Sequence, residues 1–375
     1  MNVILTCGGT GGHINPAIAV AKCLVSRWPD TNILFVGAEG GMETNLVPRE
    51  GFELRTVTIS NFQRSLSLQN LRHNLGTAKN LVVAQRQASR IIDEFKPDVI
   101  LGTGGYASFP ALKQGQKKGI PTAVHEANAV PGLTTKMVAD QADRVLVNYE
   151  ECRSAYKDPE RVIVTGMPVK DSFFTTGRTE ARRALGLDDR PLIVSAFGSL
   201  GARDMNHMMT DFITLEADLE PYQHVHATGQ YGWTWQPEEI LNAGVDLRFH
   251  PAIHLQEYIY NMPELMAAAD LMICRAGAST LSELTAAAVP AIIVPSPNVT
   301  NNHQERNARL LEQRGAAMVL KESECSGRKL YQLAGELLDD AAQLAAMRQA
   351  LHEAAVPDAT QRICTILYDL VHSPA

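Results

Sequence analysis

A short apolar run that leads through a glycine-rich turn into a helical pattern constrains this fold most, and it occurs twice. The first copy is the run Asn2 to Cys7, the turn Gly8 to Gly12 and apolar residues at helical spacing up to Leu24. The second copy has a run from Leu192 to Phe197 and a turn from Gly198 to Ala202. A strand, a glycine turn and a helix open a parallel, doubly wound sheet. We therefore expect two such sheets.

Strand-sized apolar runs, separated by helix-sized segments, follow each turn. They lie at Asn32 to Val36, Val99 to Gly102, Thr122 to His125 and Val145 to Asn148 after the first turn, and at His224 to His226, Leu271 to Cys274 and Ala291 to Val294 after the second. This alternation predicts an α/β chain of two Rossmann-like, doubly wound domains, residues 1–168 and 169–357, which face a ligand-binding cleft. A last helix, at about residues 358–375, can pack on either domain.

Composition removes several classes of protein. With 375 residues, 45% of them hydrophobic, the chain can bury two cores. Its longest apolar stretch, Ala286 to Pro295, falls well short of the ~20 residues that cross a bilayer. No signal-peptide body precedes the first strand, so we expect a cytoplasmic protein. The six cysteines form no Cys/His cluster, and neither a D-x-D nor a P-loop motif occurs, so we expect no metal site and no cofactor.

The net charge of −7 averages two unlike halves. Residues 1–168 carry 18 basic and 15 acidic side chains, a balance of +3, which leaves 16 basic and 26 acidic ones, a balance of −10, for residues 169–375. Within the first half, residues 61–92 contain no acidic side chain. A helix there would carry cations at seven-residue spacing beside an apolar stripe: Arg72, Lys79 and Arg86 with Leu68, Leu71, Leu75 and Val82.

This helix has two interpretations. It lies on an anionic membrane surface, or it packs its apolar stripe into the core. A nucleic-acid partner is not expected, because the positive charge is local and only 6% of residues are aromatic.

The first glycine turn is similar to a dinucleotide-binding fingerprint, with Glu39 placed after the second strand as a ribose ligand. However, G-x-G-x-x-G counted from Gly9 needs a third glycine where the chain has Ile14, so a nicotinamide cofactor is not expected. The turn places His13 at the opening of a helix, where glycines let a ligand approach backbone N–H groups. His13 is either a catalytic base or ligand contact, or a capping or packing residue.

Three further polar segments follow predicted strands. Arg275 to Glu283 starts a helix that Ser279 or Thr280 can cap and whose free N-terminal N–H groups can bind a phosphate. Glu283 is either a ribose ligand or a capping-box residue. His125 to Asn128 and Asn302 to Asn307 are dense in groups that suit sugar recognition, although exposed loops are polar as well.

Together these motifs closely resemble the MurG family of N-acetylglucosaminyltransferases, glycosyltransferase family 28. The resemblance covers essentially the whole chain, and the combination is specific although each motif is weak alone. The matching elements are G-G-T-G-G-H from Gly8, Phe35-Val36-Gly37, Gly104-Gly105-Tyr106, H-E-x-N at His125, G-x-P-V at Gly166, G-S-x-G-A at Gly198, R-A-G-A-S-T-x-S-E at Arg275, H-Q-x-x-N-A at His303 and P-D-A-T at Pro357.

The resemblance implies the GT-B fold, with the final helix packing back on the N-terminal domain. It also implies an inverting, metal-independent transfer of N-acetylglucosamine (GlcNAc) from UDP-GlcNAc to the 4-hydroxyl of N-acetylmuramic acid (MurNAc) in undecaprenyl-pyrophosphoryl-MurNAc-pentapeptide (lipid I). The product is lipid II of peptidoglycan synthesis, and the location is the cytoplasmic, anionic face of a bacterial cell membrane. The alternatives are another lipid acceptor, such as diacylglycerol, or a UDP-GlcNAc epimerase.

The resemblance also implies roles for individual residues. His13 is the expected base, with Glu126 and His125 as runners-up. In the first domain Thr10, Gly11, Gly12 and Asn128 would face the donor. In the second domain Lys170, Ser199, Gly277, Ala278, Ser279 and Thr280 would serve the diphosphate, with Leu281 and Ser282 beside them, while Ile259 would contact uracil, Glu283 the ribose and Gln304 the GlcNAc hydroxyls. The chain departs from the family pattern at Lys170, often Arg, at Leu200, often Gln, and at Ala127, also often Gln.

Overall fold

The structure is a computed structural model that describes residues 1–59 and 68–372, and of residues 68–79 it describes the backbone only. The chain divides into two units. One consists of Met1–Val169 together with Asp358–Ala375, and the other is Lys170–Pro357. The N-terminal and C-terminal ends of the chain therefore belong to the same unit.

The first unit is built on a sheet of seven parallel strands in the order β3-β2-β1-β4-β5-β6-β7. The strands are β1 Asn2–Cys7, β2 Asn32–Ala38, β3 Glu53–Val57, β4 Val99–Gly104, β5 Thr122–Glu126, β6 Arg144–Val147 and β7 Val162–Val164. The chain runs outward from β1 in one direction and then crosses to β4 on its other side. The carboxyl ends of β1 and β4 therefore flank the switch point, where doubly wound sheets bind ligands.

Helices cover both faces of this sheet. They are α1 Gly11–Arg27, α2 Glu43–Arg49, α3 Leu68–Phe95, α4 Ser108–Lys117 and α5 Leu133–Ala139, with α16 Ala359–His372 at the end of the chain. Successive side chains of β1 enter opposite cores, since Val3 and Leu5 belong to one buried cluster and Ile4 to the other. Cys364 and Leu367 of α16 join the cluster of Val3, so the last helix is part of the first unit's core.

Only part of the predicted membrane helix is described. The side chains of Leu68, Leu71, Leu75, Arg72 and Lys79 lie outside the described residues. Further along α3, Ala84, Ala88 and Ile92 are buried, while Val82, which is 51% exposed, and Arg86, one turn later on the same face, are exposed. None of the helices in the described part of the chain is both long and apolar enough to cross a membrane.

The second unit has a six-stranded parallel sheet in the order β10-β9-β8-β11-β12-β13. Its strands are β8 Leu192–Ala196, β9 Gln223–Ala227, β10 Ile253–Gln256, β11 Leu271–Cys274, β12 Ala291–Ile293 and β13 Met318–Val319. Its helices are α6 Ser172–Thr175, α7 Arg178–Ala184, α8 Arg203–Ala217, α9 Gly229–Trp233, α10 Gln236–Asn242, α11 Met262–Ala268, α12 Ala278–Ala287, α13 His303–Gln313, α14 Gly327–Asp339 and α15 Ala341–Ala354. Here the switch point lies between β8 and β11. The predicted class of two parallel-sheet α/β domains is confirmed.

Candidate active site

His13 lies in the first turn of α1, and the end of strand β4 holds its imidazole ring. The ring atom Nδ1 is 3.1 Å from the carbonyl oxygen of Thr103, and the Thr103 hydroxyl donates to the carbonyl of His13 at 2.7 Å. Because a carbonyl oxygen can only accept a hydrogen bond, Nδ1 carries the proton of the neutral ring. The lone pair that can take a proton is therefore on Nε2, as a general base requires.

A glycine pair after β4 creates the space for this arrangement. Gly104 has φ +115°, and a Cβ atom there would lie 2.4 Å from Nδ1 of His13. Gly105 has φ +82°, and a Cβ atom there would lie 2.1 Å from the carbonyl oxygen of Gly8. Side chains are excluded at both positions by backbone conformation and by space. The pair therefore lets β4 approach both the histidine ring and the first glycine turn.

The first glycine turn presents backbone groups at the start of α1. Thr10 precedes the helix with an exposed side chain that makes no capping hydrogen bond. Its carbonyl accepts from the N–H groups of His13 and Ile14, at 3.0 and 3.2 Å. Gly11 and Gly12 form the first turn and are half-buried. Backbone hydrogen bonds to the Thr10 carbonyl therefore begin this helix, and the Thr10 hydroxyl takes no part in capping it.

The other two titratable residues considered as bases are buried at the end of β5. His125 is 1% exposed, its Nε2 lies 2.9 Å from the carbonyl oxygen of Gly166, and burial lowers the pKa of its ring. Glu126 is 4% exposed, with Oε1 accepting from the backbone and side-chain N–H groups of Asn128 and Oε2 from the N–H of Gly132. Because the carbonyl of Gly166 can only accept, Nε2 of His125 carries the proton of the neutral ring, and Nδ1 is buried without a hydrogen-bond partner among the described residues. Glu126 orders the chain that follows β5, and proton transfer by Glu126 would require its contacts to break.

In the second unit, the N-terminus of α12 follows β11 at the switch point. Residues Gly277 to Thr280 are half-buried. The predicted cap by Ser279 or Thr280 is wrong, because the helix begins earlier, at Ala278, and the residue before it is Gly277, which has no side chain to supply a cap. The hydroxyl of Ser279 is buried without a hydrogen-bond partner among the described residues. Uncapped helical N–H groups favour an anion. Leu281 and Ser282 are buried further into the helix, so their side chains face the interior.

Glu283 lies within the same helix and has a strongly perturbed carboxyl group. Burial raises its pKa to about 7, and the nearby positive charge of Lys170 opposes this rise. Tyr258 is close enough for the Glu283 charge to contribute to raising the phenol pKa. Its neighbour Ile259 is 4% exposed, so its side chain is packed in the interior. Loss of hydration on burial, and not an ion pair, therefore determines the pKa of this carboxyl group.

The side chain of Gln304 connects two loops at the ends of neighbouring strands. Its Oε1 accepts from the N–H of Ala276 at 3.3 Å and from the N–H of Ser296 at 2.9 Å. Arg275 forms an ion pair with Glu322 next to these loops. Since Oε1 of Gln304 already accepts from two backbone N–H groups, its Nε2 is the atom that can donate hydrogen bonds to a ligand.

The second glycine turn, after β8, is exposed. Ser199 and Leu200 are both exposed, and the carbonyl of Ser199 accepts from the N–H of Gln230 at 3.0 Å. A Cβ atom at Gly229 would lie 2.1 Å from the backbone nitrogen of Gly201, so the turns after β8 and β9 are in direct backbone contact. This contact leaves the Ser199 hydroxyl on the surface of the unit.

Sequence reasoning did not single out Thr103 or Tyr258. Thr103 is 2% exposed, and its one signal is its place between an apolar run and a glycine pair. Tyr258 follows β10, a strand that the apolar pattern did not reveal. Thr103 interacts with His13, and Tyr258 with Glu283, which are distant in sequence. A local sequence pattern does not reveal such contacts.

Two Rossmann-like units, each with ligand-ready turns at the carboxyl ends of its strands, define the GT-B fold. The family model of the glycosyltransferase family 28 N-terminal domain matches residues 3–147, and that of the glycosyltransferase family 28 C-terminal domain matches residues 192–363. The chain belongs to glycosyltransferase family 28, and the family resemblance inferred from the motifs is confirmed.

Two similar proteins are both named UDP-N-acetylglucosamine–N-acetylmuramyl-(pentapeptide) pyrophosphoryl-undecaprenol N-acetylglucosamine transferase. The one from Acetivibrio thermocellus is 40% identical over 376 residues, which is 100% of this chain and 100% of the relative. The one from Thermoanaerobacter sp. (strain X514) is 41% identical over 368 residues, 98% of this chain and 99% of the relative.

Solved structures agree with this family. MurG of Acinetobacter baumannii is 28% identical with a TM-score of 0.75, covering 98% of this chain and 99% of that one. The calicheamicin glycosyltransferase CalG4 is 13% identical with a TM-score of 0.68, covering 100% of this chain and 99% of that one, a likeness of fold alone.

Proposed function

We propose that this glycosyltransferase transfers GlcNAc from UDP-GlcNAc to the 4-hydroxyl of MurNAc in lipid I, which yields lipid II for peptidoglycan synthesis. Full-length relatives that are 40% and 41% identical are named for this reaction. The observation that carries the chemistry is the His13 ring, whose Nδ1 proton is directed to the carbonyl of Thr103. A neutral imidazole held in this tautomer is prepared to accept a proton at Nε2.

In this mechanism the acceptor oxygen attacks the anomeric carbon of GlcNAc on the face opposite the departing diphosphate. Nε2 of His13 takes the proton of the attacking hydroxyl, while the bond from the anomeric carbon to the phosphate oxygen breaks and UDP leaves with the bonding electrons. The negative charge that develops on UDP is stabilised by the uncapped N-terminus of α12 and by Lys170. Inversion at the anomeric carbon follows from attack on the opposite face.

Donor recognition is assigned to the second unit's turns. The Glu283 carboxylate accepts from the ribose hydroxyls, the segment at Ile259 meets uracil, and Ser199 contacts the diphosphate. Gln304 donates from Nε2 to GlcNAc hydroxyls, which is consistent with an amide oxygen already occupied by two backbone N–H groups. From the first unit, the Gly11–Gly12 helix start and Asn128 complete the donor contacts.

The direct test is His13→Ala in the full chain, with labelled UDP-GlcNAc and lipid I. We expect turnover to fall at least ~100-fold while uridine affinity stays unchanged, because the base acts in proton transfer and not in donor binding. His352→Ala, which alters an exposed histidine of α15, is the matched control and should retain activity. Undiminished turnover in His13→Ala would place the base elsewhere.

The same assay separates the two alternative reactions. Transfer to diacylglycerol in place of lipid I would identify another acceptor class. Conversion of UDP-GlcNAc without any acceptor would identify an epimerase. Release of UDP that depends strictly on added lipid I supports the proposal.

We infer further that α3 attaches the enzyme to the cytoplasmic face of the membrane, without spanning it. The exposed Val82 and Arg86 support this assignment, since an apolar and a cationic side chain on one exposed face suit an anionic surface. The test is a variant in which Arg72, Lys79 and Arg86 are changed together to Glu. Its binding to phosphatidylglycerol vesicles is measured by sedimentation. Binding should weaken about 100-fold, because three lost cations at about 1 kcal/mol each sum to about 3 kcal/mol.

The control for charge alone changes three exposed basic residues of the second unit, Arg203, Arg328 and Lys329, to Glu. This variant has the same net charge and should bind vesicles as the wild type does. Equal loss in both variants, or no loss in either, would refute a membrane role for α3.

A further inference from the structure

Glu43, the first residue of α2, is 0% exposed and lies beneath the first glycine turn. Its Oε2 accepts from the N–H of Gly9 at 3.2 Å, and its Oε1 accepts from the N–H of Ala38 at 2.6 Å. Within the described ranges, no basic side chain forms an ion pair with it. Burying a carboxylate without a cation is costly, so the two backbone hydrogen bonds must compensate for lost hydration.

Three separate glycines provide the space for this carboxylate. A Cβ atom at Gly8 would lie 2.5 Å from Oε1, one at Gly37 would lie 2.5 Å from Cγ, and one at Gly41 would lie 2.4 Å from Oε2. These glycines come from the turn after β1, from β2 and from the turn before α2. Three backbone segments therefore enclose one side chain, which accepts hydrogen bonds from the turn after β1 and from the end of β2.

The hydrogen bond to Gly9 leads to the histidine. Gly9 has φ +88°, and the carbonyl of the next residue, Thr10, accepts from the N–H of His13 as α1 begins. On its other side, the turn meets β4 through the close approach of Gly8 to Gly105. Glu43 therefore holds the turn from the β2 side, opposite the strand that holds the histidine ring.

We propose that Glu43 is a positioning residue for the transfer reaction: its carboxylate fixes the Gly8–Thr10 turn and thereby places Nε2 of His13 against the acceptor hydroxyl. A carboxylate is needed because both of its oxygens accept from backbone N–H groups. A carboxamide of the same shape has one acceptor and one donor, so one N–H would face another N–H. This inference rests on the proposed role of His13.

The test begins with Glu43→Gln in the full chain. We expect kcat to fall about 10- to 100-fold, since a base displaced by about 1 Å loses this much. The affinity for uridine should not change, because the contacts to uracil and ribose are assigned to the other unit. Glu39→Gln, which alters an exposed glutamate next to the same segment, is the control and should keep wild-type kcat.

Gly41→Ala is a second, independent variant. It leaves Glu43 charged, but its new methyl group displaces Oε2 from the N–H of Gly9, and Gly41 has no positive φ that would strain alanine. It should reproduce the loss of kcat with an unchanged affinity for uridine. This variant keeps the inference testable if Glu43→Gln does not fold.

A double-mutant cycle with His13→Ala separates positioning from general support of the fold. If Glu43 acts through the histidine, Glu43→Gln should change the residual turnover of His13→Ala by less than about twofold. An equal fold-loss in both backgrounds, or wild-type kcat in Glu43→Gln and Gly41→Ala, would overturn the inference while leaving the base assignment intact. Undiminished turnover in His13→Ala alone would instead overturn the base, and this inference with it.

Discussion

With Glu283 as the proposed ribose ligand, the raised pKa of its carboxyl group predicts that donor recognition depends on pH in the physiological range. Burial raises this pKa to about 7 from the ordinary value of 4.5, whereas accepting hydrogen bonds from ribose requires the carboxylate. About nine-tenths of the groups are ionised at pH 8 and about one-tenth at pH 6. Affinity for the ribose should therefore fall about tenfold between pH 8 and pH 6, and the neutral Glu283→Gln should bind weakly at both.

The assay is calorimetric titration with uridine, which carries the ribose but no phosphate that would itself titrate. Glu238→Gln, which alters an exposed glutamate of α10, is the control and should keep the wild-type pH dependence. Uridine affinity that is constant from pH 6 to pH 8 in the wild type would refute the reasoning. The same slope in Glu283→Gln would also refute it, because another group would then be responsible.

The same shift affects stability, and its sign is opposite to that of a salt-bridged acid. Because the folded-state pKa of Glu283 is raised, its ionisation disfavours the fold, with no cost below about pH 4.5 and the full cost above about pH 7. After allowance for the partial exposure of the side chain, that cost is about 1–3 kcal/mol. Glu283→Gln should therefore be more stable than the wild type at pH 8 by about this amount in urea unfolding, and equal to it at pH 4.5.

Three further expectations can be checked independently. Lys170→Met removes the charge that opposes the pKa rise of Glu283, so the midpoint of uridine binding should move to higher pH in calorimetry. His226 is fully buried, and burial lowers its pKa to about 3. The stability that its neutral form contributes above about pH 6.5 is therefore lost on acidification. Urea unfolding should show about 2 kcal/mol less stability at pH 5 than at pH 7, and a smaller loss in His226→Gln. Gly104→Ala places a Cβ atom against the imidazole of His13, the proposed base, and should lower kcat at least ~10-fold. Gly119→Ala, with a positive φ but open space, should lower only stability, by about 1 kcal/mol.

The strands that the apolar pattern revealed are those in the middle of each sheet. Runs such as Asn2 to Cys7 and Leu271 to Cys274 are covered by helices on both faces and therefore read as continuous apolar segments. The four strands that the pattern did not reveal, β3, β7, β10 and β13, are the four sheet edges. Edge strands are less buried, as the alternation of Glu53 and Arg55 with apolar neighbours in β3 shows, so their pattern is weak.

The candidate site divides in the same way. The sequence by itself determined the two glycine turns, the histidine at the first helix start and a helix start in the segment Arg275 to Glu283, because strand, turn and helix signals are local. Only the tertiary structure decided that Thr103 sets the tautomer of His13, 90 residues away, and that Glu43 holds Gly9, 34 residues away. It alone also decided the raised pKa of Glu283. Contacts across a sheet and removal from water depend on which distant segments become neighbours, and no local pattern of residues specifies that.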